Sequence, residues 1–299
     1  MYGQFNGSYV ALPTPFRDGH VDLEAFEEMI DFHVDHATDG LVVAGTTGEA
    51  PTLNDYEQRS LIHAAVDHSA GRLPVVAGVG SNCTRSTVDL ARFAAAEGAD
   101  GVLVVTPYYN RPSRQGLIGH FSQIADATDT AVVLYNVPSR TGLDLEPDVV
   151  AELATHHENI VAIKESGSSV ARVEQLLASC RIAVLCGEDS CIAPFAAAGA
   201  VGAVNVLGNI VPEEVAELVR VARPDGDPER AAELECALAP LARDLYVEVN
   251  PVPVKAALAH LGRCRAEVRA PLAPLEESSR LRLHATVATY AVAHPSPVS

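Results

Sequence analysis

The chain has 299 residues, 48% of them hydrophobic, and 21 Lys and Arg stand against 39 Asp and Glu, a formal charge of −18 at pH 7. That balance argues against nucleic acid or an anionic membrane surface as partner, since both reward basic patches; a small anionic substrate is still allowed, because a few local arginines can dominate a cleft. The length suffices for one large barrel or two domains, and no low-complexity tract interrupts it.

Met1 to Phe16 lacks the basic start and the long apolar stretch of a signal peptide. No run reaches the roughly 20 apolar residues of a membrane helix, so the expected compartment is the cytoplasm. The cysteines at 83, 180, 186, 191, 236 and 264 are scattered without any Cys-x-x-Cys. They read as reduced thiols, with neither a disulfide framework nor a metal site expected.

Short apolar runs recur at Tyr9–Leu12, Leu41–Ala44, Val75–Val79, Val102–Val105, Ala131–Tyr135, Ile160–Ile163, Ala183–Cys186 and Ala203–Val206. Stretches of helical period lie between them, as at Leu23–Val34, Asp55–His68, Thr84–Glu97 and Pro212–Val221. The strands are apolar on both faces, the pattern of a parallel sheet covered by helices. Gly40, Gly101 and Gly202 each stand just before an apolar strand, where a left-handed turn is expected to end the preceding helix. Eight strands each followed by a helix predict an α/β fold, a (β/α)8 TIM barrel over residues 1–227. The alternative, an open doubly wound sheet, lacks its Gly-x-Gly-x-x-Gly fingerprint after the first strand. Beyond the linker Arg223-Pro224-Asp225-Gly226-Asp227-Pro228 the pattern is helical throughout, at Glu229–Val247, Val252–Leu261 and Leu275–Ala291. Residues 228–299 are therefore expected to form a small C-terminal helical domain.

Active sites of such barrels form where strands end. Gly45-Thr46-Thr47-Gly48-Glu49 follows the second strand. Its backbone N–H groups and hydroxyls can make a small anion nest, and a tight turn capping the next helix is the competing reading. The fourth strand runs into Thr106-Pro107-Tyr108-Tyr109-Asn110-Arg111-Pro112, whose paired tyrosines fit either packing or a site. The fifth leads into Tyr135-Asn136-Val137-Pro138-Ser139-Arg140-Thr141-Gly142, with Tyr135 facing the barrel mouth and Arg140 on the loop above, suited to a carboxylate. Lys164 ends the sixth, in Ile160-Val161-Ala162-Ile163-Lys164-Glu165-Ser166. Desolvation at a buried strand end disfavours an ammonium and favours the free amine that attacks carbonyls; simple snorkelling is what a lone lysine would do there. Beside Tyr135, Thr46 and Arg140 it makes a coherent set. The amine attacks a ketone and expels water, nearby hydroxyls pass the protons, and the imine cation acidifies the adjacent carbon. That is the logic of a Schiff-base aldolase.

On the four motifs around Thr46, Tyr109, Tyr135 and Lys164 the chain resembles, over essentially its full length, the dihydrodipicolinate synthase / N-acetylneuraminate lyase superfamily. The double tyrosine with Asn110-Arg111-Pro112 and the context of Arg140 look like the synthase branch. The resemblance implies a lyase that condenses pyruvate with L-aspartate 4-semialdehyde to 4-hydroxy-tetrahydrodipicolinate, in lysine (diaminopimelate) biosynthesis. It implies Lys164 as the imine-forming residue, Tyr135, Thr46 and Tyr109 as the proton relay, and Tyr109 reaching in from a neighbouring subunit. Thr47 would hold the pyruvate carboxylate and Arg140 that of the second substrate, with Gly187 and Val204 near bound pyruvate. Asn250, in Asn250-Pro251-Val252-Pro253-Val254-Lys255, matches a C-terminal motif read as structural. No cofactor or metal is implied beyond the covalent imine on Lys164, and the expected assembly is a homotetramer, a dimer of dimers. Where lysine-inhibited members bind their feedback ligand, this chain has Asp55, Gln58 and Ser86 while keeping Asn82 and Tyr108, so weak or absent inhibition by lysine is expected. Two other functions compete. One is another pyruvate-dependent class I aldolase or lyase, of the 2-keto-3-deoxy sugar acid or N-acetylneuraminate type. The other is a catalytically silent pyruvate-binding regulator.

Overall fold

The computed structural model describes residues 5–293, with side chains to Tyr290. Eight parallel strands close a barrel: β1 (Gly7–Ala11), β2 (Gly40–Val43), β3 (Val75–Gly78), β4 (Gly101–Val105), β5 (Ala131–Asn136), β6 (Ile160–Glu165), β7 (Ala183–Cys186) and β8 (Gly202–Asn205). Each strand pairs with its sequence neighbour, and β1 closes the ring against both β2 and β8. Around it run α1 (Leu23–Asp35), α2 (Asp55–Ser69), α3 (Thr84–Glu97), α4 (Arg114–Ala125), the single turn α5 (Pro138–Thr141), α6 (Pro147–His156), α7 (Val170–Ser179), α8 (Ile192–Ala197) and α9 (Pro212–Val221). Three more helices follow: α10 (Pro228–Asp244), α11 (Val252–His260) and α12 (Glu277–Ala293). A short hairpin, Phe16–Arg17 against His20–Val21, adds a feature the sequence pattern did not show.

The two apolar faces of each strand serve two cores. Tyr9, Val42, Val76, Leu103, Val133, Leu185 and Val204 fill the barrel, while Val10, Val43, Val104, Leu134 and Ile163 pack outward against helices through Phe26, Ile62 and Phe121. At about 1.5–3 kcal/mol for each large apolar side chain buried, both layers are needed to offset the ordering of so long a chain. Helix ends follow local chemistry. Asn54 and Glu57 form a reciprocal capping box at the start of α2, and Asp227 accepts from Glu229 and Arg230 with Pro228 in the first turn, so the expected linker runs straight into α10.

The glycines before the strands have a different cause from the one expected. Gly40, Gly101 and Gly202 are not in the left-handed region; the left-handed residue lies three positions earlier each time, at Ala37 (φ 31°), Gly98 (φ 97°) and Gly199 (φ 105°). The strand glycines are small because a Cβ would strike the Tyr9 ring at Gly40, the Phe5 ring at Gly101 and the Gly7 backbone at Gly202. Close packing across the barrel floor, not backbone freedom, requires them.

Candidate active site

Strands β5 and β6 set the site. Their register places Tyr135 beside Lys164 and Asn136 beside Glu165. Because side chains alternate across a sheet, the first pair turns into the barrel and the second outward. Strand β6 continues two residues past the expected Ile163, so Lys164 is held by the ladder instead of dangling from its end. It is 7% exposed, and its ammonium nitrogen lies 4.4 Å from the centroid of the Tyr135 ring. On the outer side, Asn136 Nδ2 donates to Glu165 (3.0 Å) and to Asp144 (2.7 Å), and Arg172 of α7 donates to the same two carboxylates at 3.2 and 3.1 Å. Burial pushes the Glu165 carboxyl above its ordinary range despite these donors. This network, centred on the fully buried Asn136 and Glu165, clamps the two strands at the level of the inward pair.

Burial alone would raise the Tyr135 phenol, but the Lys164 charge and hydrogen bonds to Thr46 and Ser166 outweigh it and hold the group below its ordinary value. Ser166, which the sequence did not single out, also donates to the Gly187 carbonyl at 3.0 Å. A Cβ on Gly187 would collide with Ser166 Oγ and with Cε and Cγ of Lys164, so glycine here makes room for the lysine's own stem. Val204 sits in the barrel's inner layer, buried and in register with Tyr9.

The loop after β2 is anchored from three directions. Thr14 Oγ1 donates to the Gly48 carbonyl (2.6 Å), Asn250 Nδ2 donates to Thr47 Oγ1 (3.0 Å), and Lys255 Nζ donates to Glu49 Oε1 (2.6 Å) with both charged side chains fully buried. Helix α2 carries its own cap at Asn54, which removes helix capping as the reason for this loop. Thr46, partly exposed, shares the wall of a cavity of about 370 Å³ with Tyr108, Tyr135, Arg140, Thr141 and Asn250. Arg140 Nη2 donates to the Asn250 backbone carbonyl at 3.3 Å. Asn250, expected to be structural, therefore reaches the cavity and touches two of the expected substrate-binding residues.

The single chain brings Thr46, Tyr135 and Arg140 into one wall, with Lys164 against Tyr135 and Gly187 against Lys164. Thr47, Lys164, Gly187 and Val204 are not part of that wall, Thr47 being buried just behind it against Asn250, and neither is Tyr109, which is 91% exposed at φ 72°. Among the described residues no helix is long and apolar enough to cross a membrane.

A closed parallel barrel with a lysine and a tyrosine buried side by side at the carboxyl ends of adjacent strands is the architecture of a class I aldolase-type (β/α)8 enzyme. The Dihydrodipicolinate synthetase family model matches residues 4–290, and the chain belongs to that family. It is 47% identical over 288 residues to a 4-hydroxy-tetrahydrodipicolinate synthase of Pelobacter propionicus, covering 96% of this chain and 99% of the relative. The crystal structure of dihydrodipicolinate synthase from Aquifex aeolicus superposes with a TM-score of 0.94 at 43% identity, covering 96% of this chain and 98% of that one. A structure of DHDPS from Cyanidioschyzon merolae with lysine bound gives a TM-score of 0.94 at 32% identity, covering 97% and 99%.

Proposed function

We propose that this chain condenses pyruvate with L-aspartate 4-semialdehyde to 4-hydroxy-tetrahydrodipicolinate, the activity its curated relatives are named for, as a step of lysine biosynthesis. The observation that carries this reading is the in-register, buried Tyr135–Lys164 pair beside a cavity walled by Thr46 and Arg140. The Lys164 amine attacks the keto carbon of pyruvate, and water leaves to give an imine. Loss of a methyl proton gives an enamine whose carbon adds to the aldehyde. The amino group of the second substrate then attacks the imine carbon and displaces Lys164, which regenerates the free amine. The lysine itself is the electron sink, so the reading needs neither cofactor nor metal.

Tyr135, Thr46 and Tyr109 pass the protons. Thr47 holds the pyruvate carboxylate, Arg140 holds that of the second substrate with its planar fork, and Gly187 and Val204 lie near the bound pyruvate. The exposure of Tyr109, held at a φ that non-glycine residues rarely adopt, favours insertion into a neighbouring subunit's site. The assembly in this reading is a homotetramer built from two tight dimers, in the cytoplasm. The barrel, residues 1–227, carries the chemistry, and the helical domain, 228–299, braces it.

Borohydride reduction in the presence of pyruvate tests the reading. A reduced pyruvyl adduct is expected on the peptide bearing Lys164, by mass spectrometry, and folded protein without an adduct overturns it.

The same reading includes weak regulation by lysine. Asp55, the one carboxylate among Asp55, Gln58 and Ser86, is largely exposed and already paired with Arg59 at 2.8 Å. Gln58 spends its amide on the Ala50 carbonyl at 3.1 Å, and Ser86 offers no charge to an ammonium. Initial rates are expected to change little across a lysine titration, and strong inhibition below millimolar lysine would rule this out.

A further inference from the structure

Asn250 belongs to the segment between α10 and α11, far in sequence from the barrel loops it meets, yet it is 8% exposed and forms part of the cavity wall. Its side-chain amide donates to Thr47 Oγ1 at 3.0 Å, its backbone carbonyl accepts from Arg140 Nη2 at 3.3 Å, and its side-chain oxygen is buried with no hydrogen-bond partner among the described residues. A threonine hydroxyl has one hydrogen to give and two lone pairs to receive with. An amide N–H pointed at Thr47 fills a lone pair and leaves the hydroxyl hydrogen for another acceptor. If Asn250 instead presented its oxygen, Thr47 would spend that hydrogen on it and have nothing to offer an anion. A buried amide oxygen without a partner normally costs stability, so its retention in the cavity wall needs a compensating use for the orientation that creates it.

Resting on the reading of Thr47 as the residue that holds the pyruvate carboxylate, we propose that Asn250 is a positioning residue for pyruvate: its amide N–H fixes the Thr47 hydroxyl as a donor toward the carboxylate. Asn250 acts through Thr47 and touches no reacting atom. It also ties substrate binding to the docking of the helical segment, because the same residue steadies Arg140 through its backbone. A merely structural asparagine would make different predictions. Its loss would lower stability and kcat together without a selective change in the response to pyruvate, and the effect would not depend on what stands at position 47.

The experiment is borohydride trapping of the full-length protein as a function of pyruvate concentration, with thermal unfolding alongside, for wild type, Asn250→Ala, Thr47→Val and the double variant. Wild type is expected to trap pyruvate saturably. Asn250→Ala is expected to raise the half-saturating pyruvate about tenfold, the scale of part of a charge-assisted hydrogen bond. The double variant is expected to be no worse than Thr47→Val, because residues that act through one contact are not additive. Asn250→Leu keeps the volume that docks the segment and cannot donate from its side chain, and it serves where the alanine variant fails to fold; it too is expected to raise half-saturation. Unchanged half-saturation in a folded Asn250→Ala or Asn250→Leu protein overturns the proposal, as does a double variant that shows the two single effects multiplied. Failure of wild type to trap pyruvate at all overturns the assignment of the pyruvate site itself, and the proposal with it.

Discussion

Lys164→Met is expected to abolish pyruvate trapping and to lower kcat/KM by about 10,000-fold or more, while the folded state stays as stable as before. Methionine matches the length of the stem that Gly187 makes room for. Lys164 is 7% exposed, and among the described residues no carboxylate lies within ion-pair distance of its side-chain nitrogen, so its replacement breaks no ion pair. Replacing an unpaired buried polar group by an apolar one of similar shape is neutral or stabilising, whereas removing a partner from a buried pair is costly. Activity and unfolding temperature should therefore move apart. A variant that still traps pyruvate would place the imine on another lysine, and one that loses stability along with activity would make Lys164 a packing residue.

The same variant reads out the electrostatics of the pair. Lys164 is the leading influence that holds the Tyr135 phenol down against burial. With that influence gone, burial is opposed only by Thr46, Ser166 and Arg140, and the phenol should ionise later in an alkaline titration than in wild type. Tyrosinate absorbance followed against pH measures this, and an unchanged alkaline limb would mean that the resting lysine carries no charge toward Tyr135.

How much of this was legible in the sequence depended on distance along the chain. The barrel was, because its signal is local: doubly apolar strands alternating with amphipathic helices. So were Lys164, Tyr135 and Thr46, since each follows or ends a strand and the closed topology sends strand ends to one mouth. The strand-leading glycines misled because the sequence shows a small residue but not what crowds it; only the structure sets the Tyr9 ring against Gly40. Ser166 carries no signal of its own in the sequence, where it is one more serine after a strand. Asn250 and Lys255 were read as a structural motif because nothing local to residues 250–255 reveals partners some 200 positions upstream, at Thr47 and Glu49. Tyr109 is the reverse case. One chain leaves it exposed, and only the family resemblance gave it a role.

The buried Glu49–Lys255 pair gives the largest effect expected on stability. Lys255 Nζ lies 2.6 Å from Glu49 Oε1 and 4.1 Å from the centroid of the Phe16 ring, and the other Glu49 oxygen accepts from the Arg269 backbone at 3.0 Å. The β1–α1 hairpin, the loop bearing Thr46 and Thr47, and the helical segment thus meet at one charge pair. Lys255→Met leaves the Glu49 carboxyl buried with only a backbone donor, and about 3–5 kcal/mol of stability is expected to go with it. Adding Glu49→Gln keeps an acceptor for Arg269 and removes the stranded carboxyl, so the double variant should recover most of that loss by urea unfolding. Burial holds Lys255 below the ordinary lysine range despite its partner, so the native state binds this proton less tightly than the unfolded chain. From this group alone, wild-type stability therefore rises with pH through the alkaline window that ends near the ordinary 10.5, and Lys255→Met should lack that rise. Half-saturating pyruvate should increase in Lys255→Met and fall back in the double variant, because the pair holds the loop that carries Thr47. If the losses of Lys255→Met and Glu49→Gln simply add, the two charges are not coupled, and the loop takes its position from the Thr14 bond to Gly48 instead.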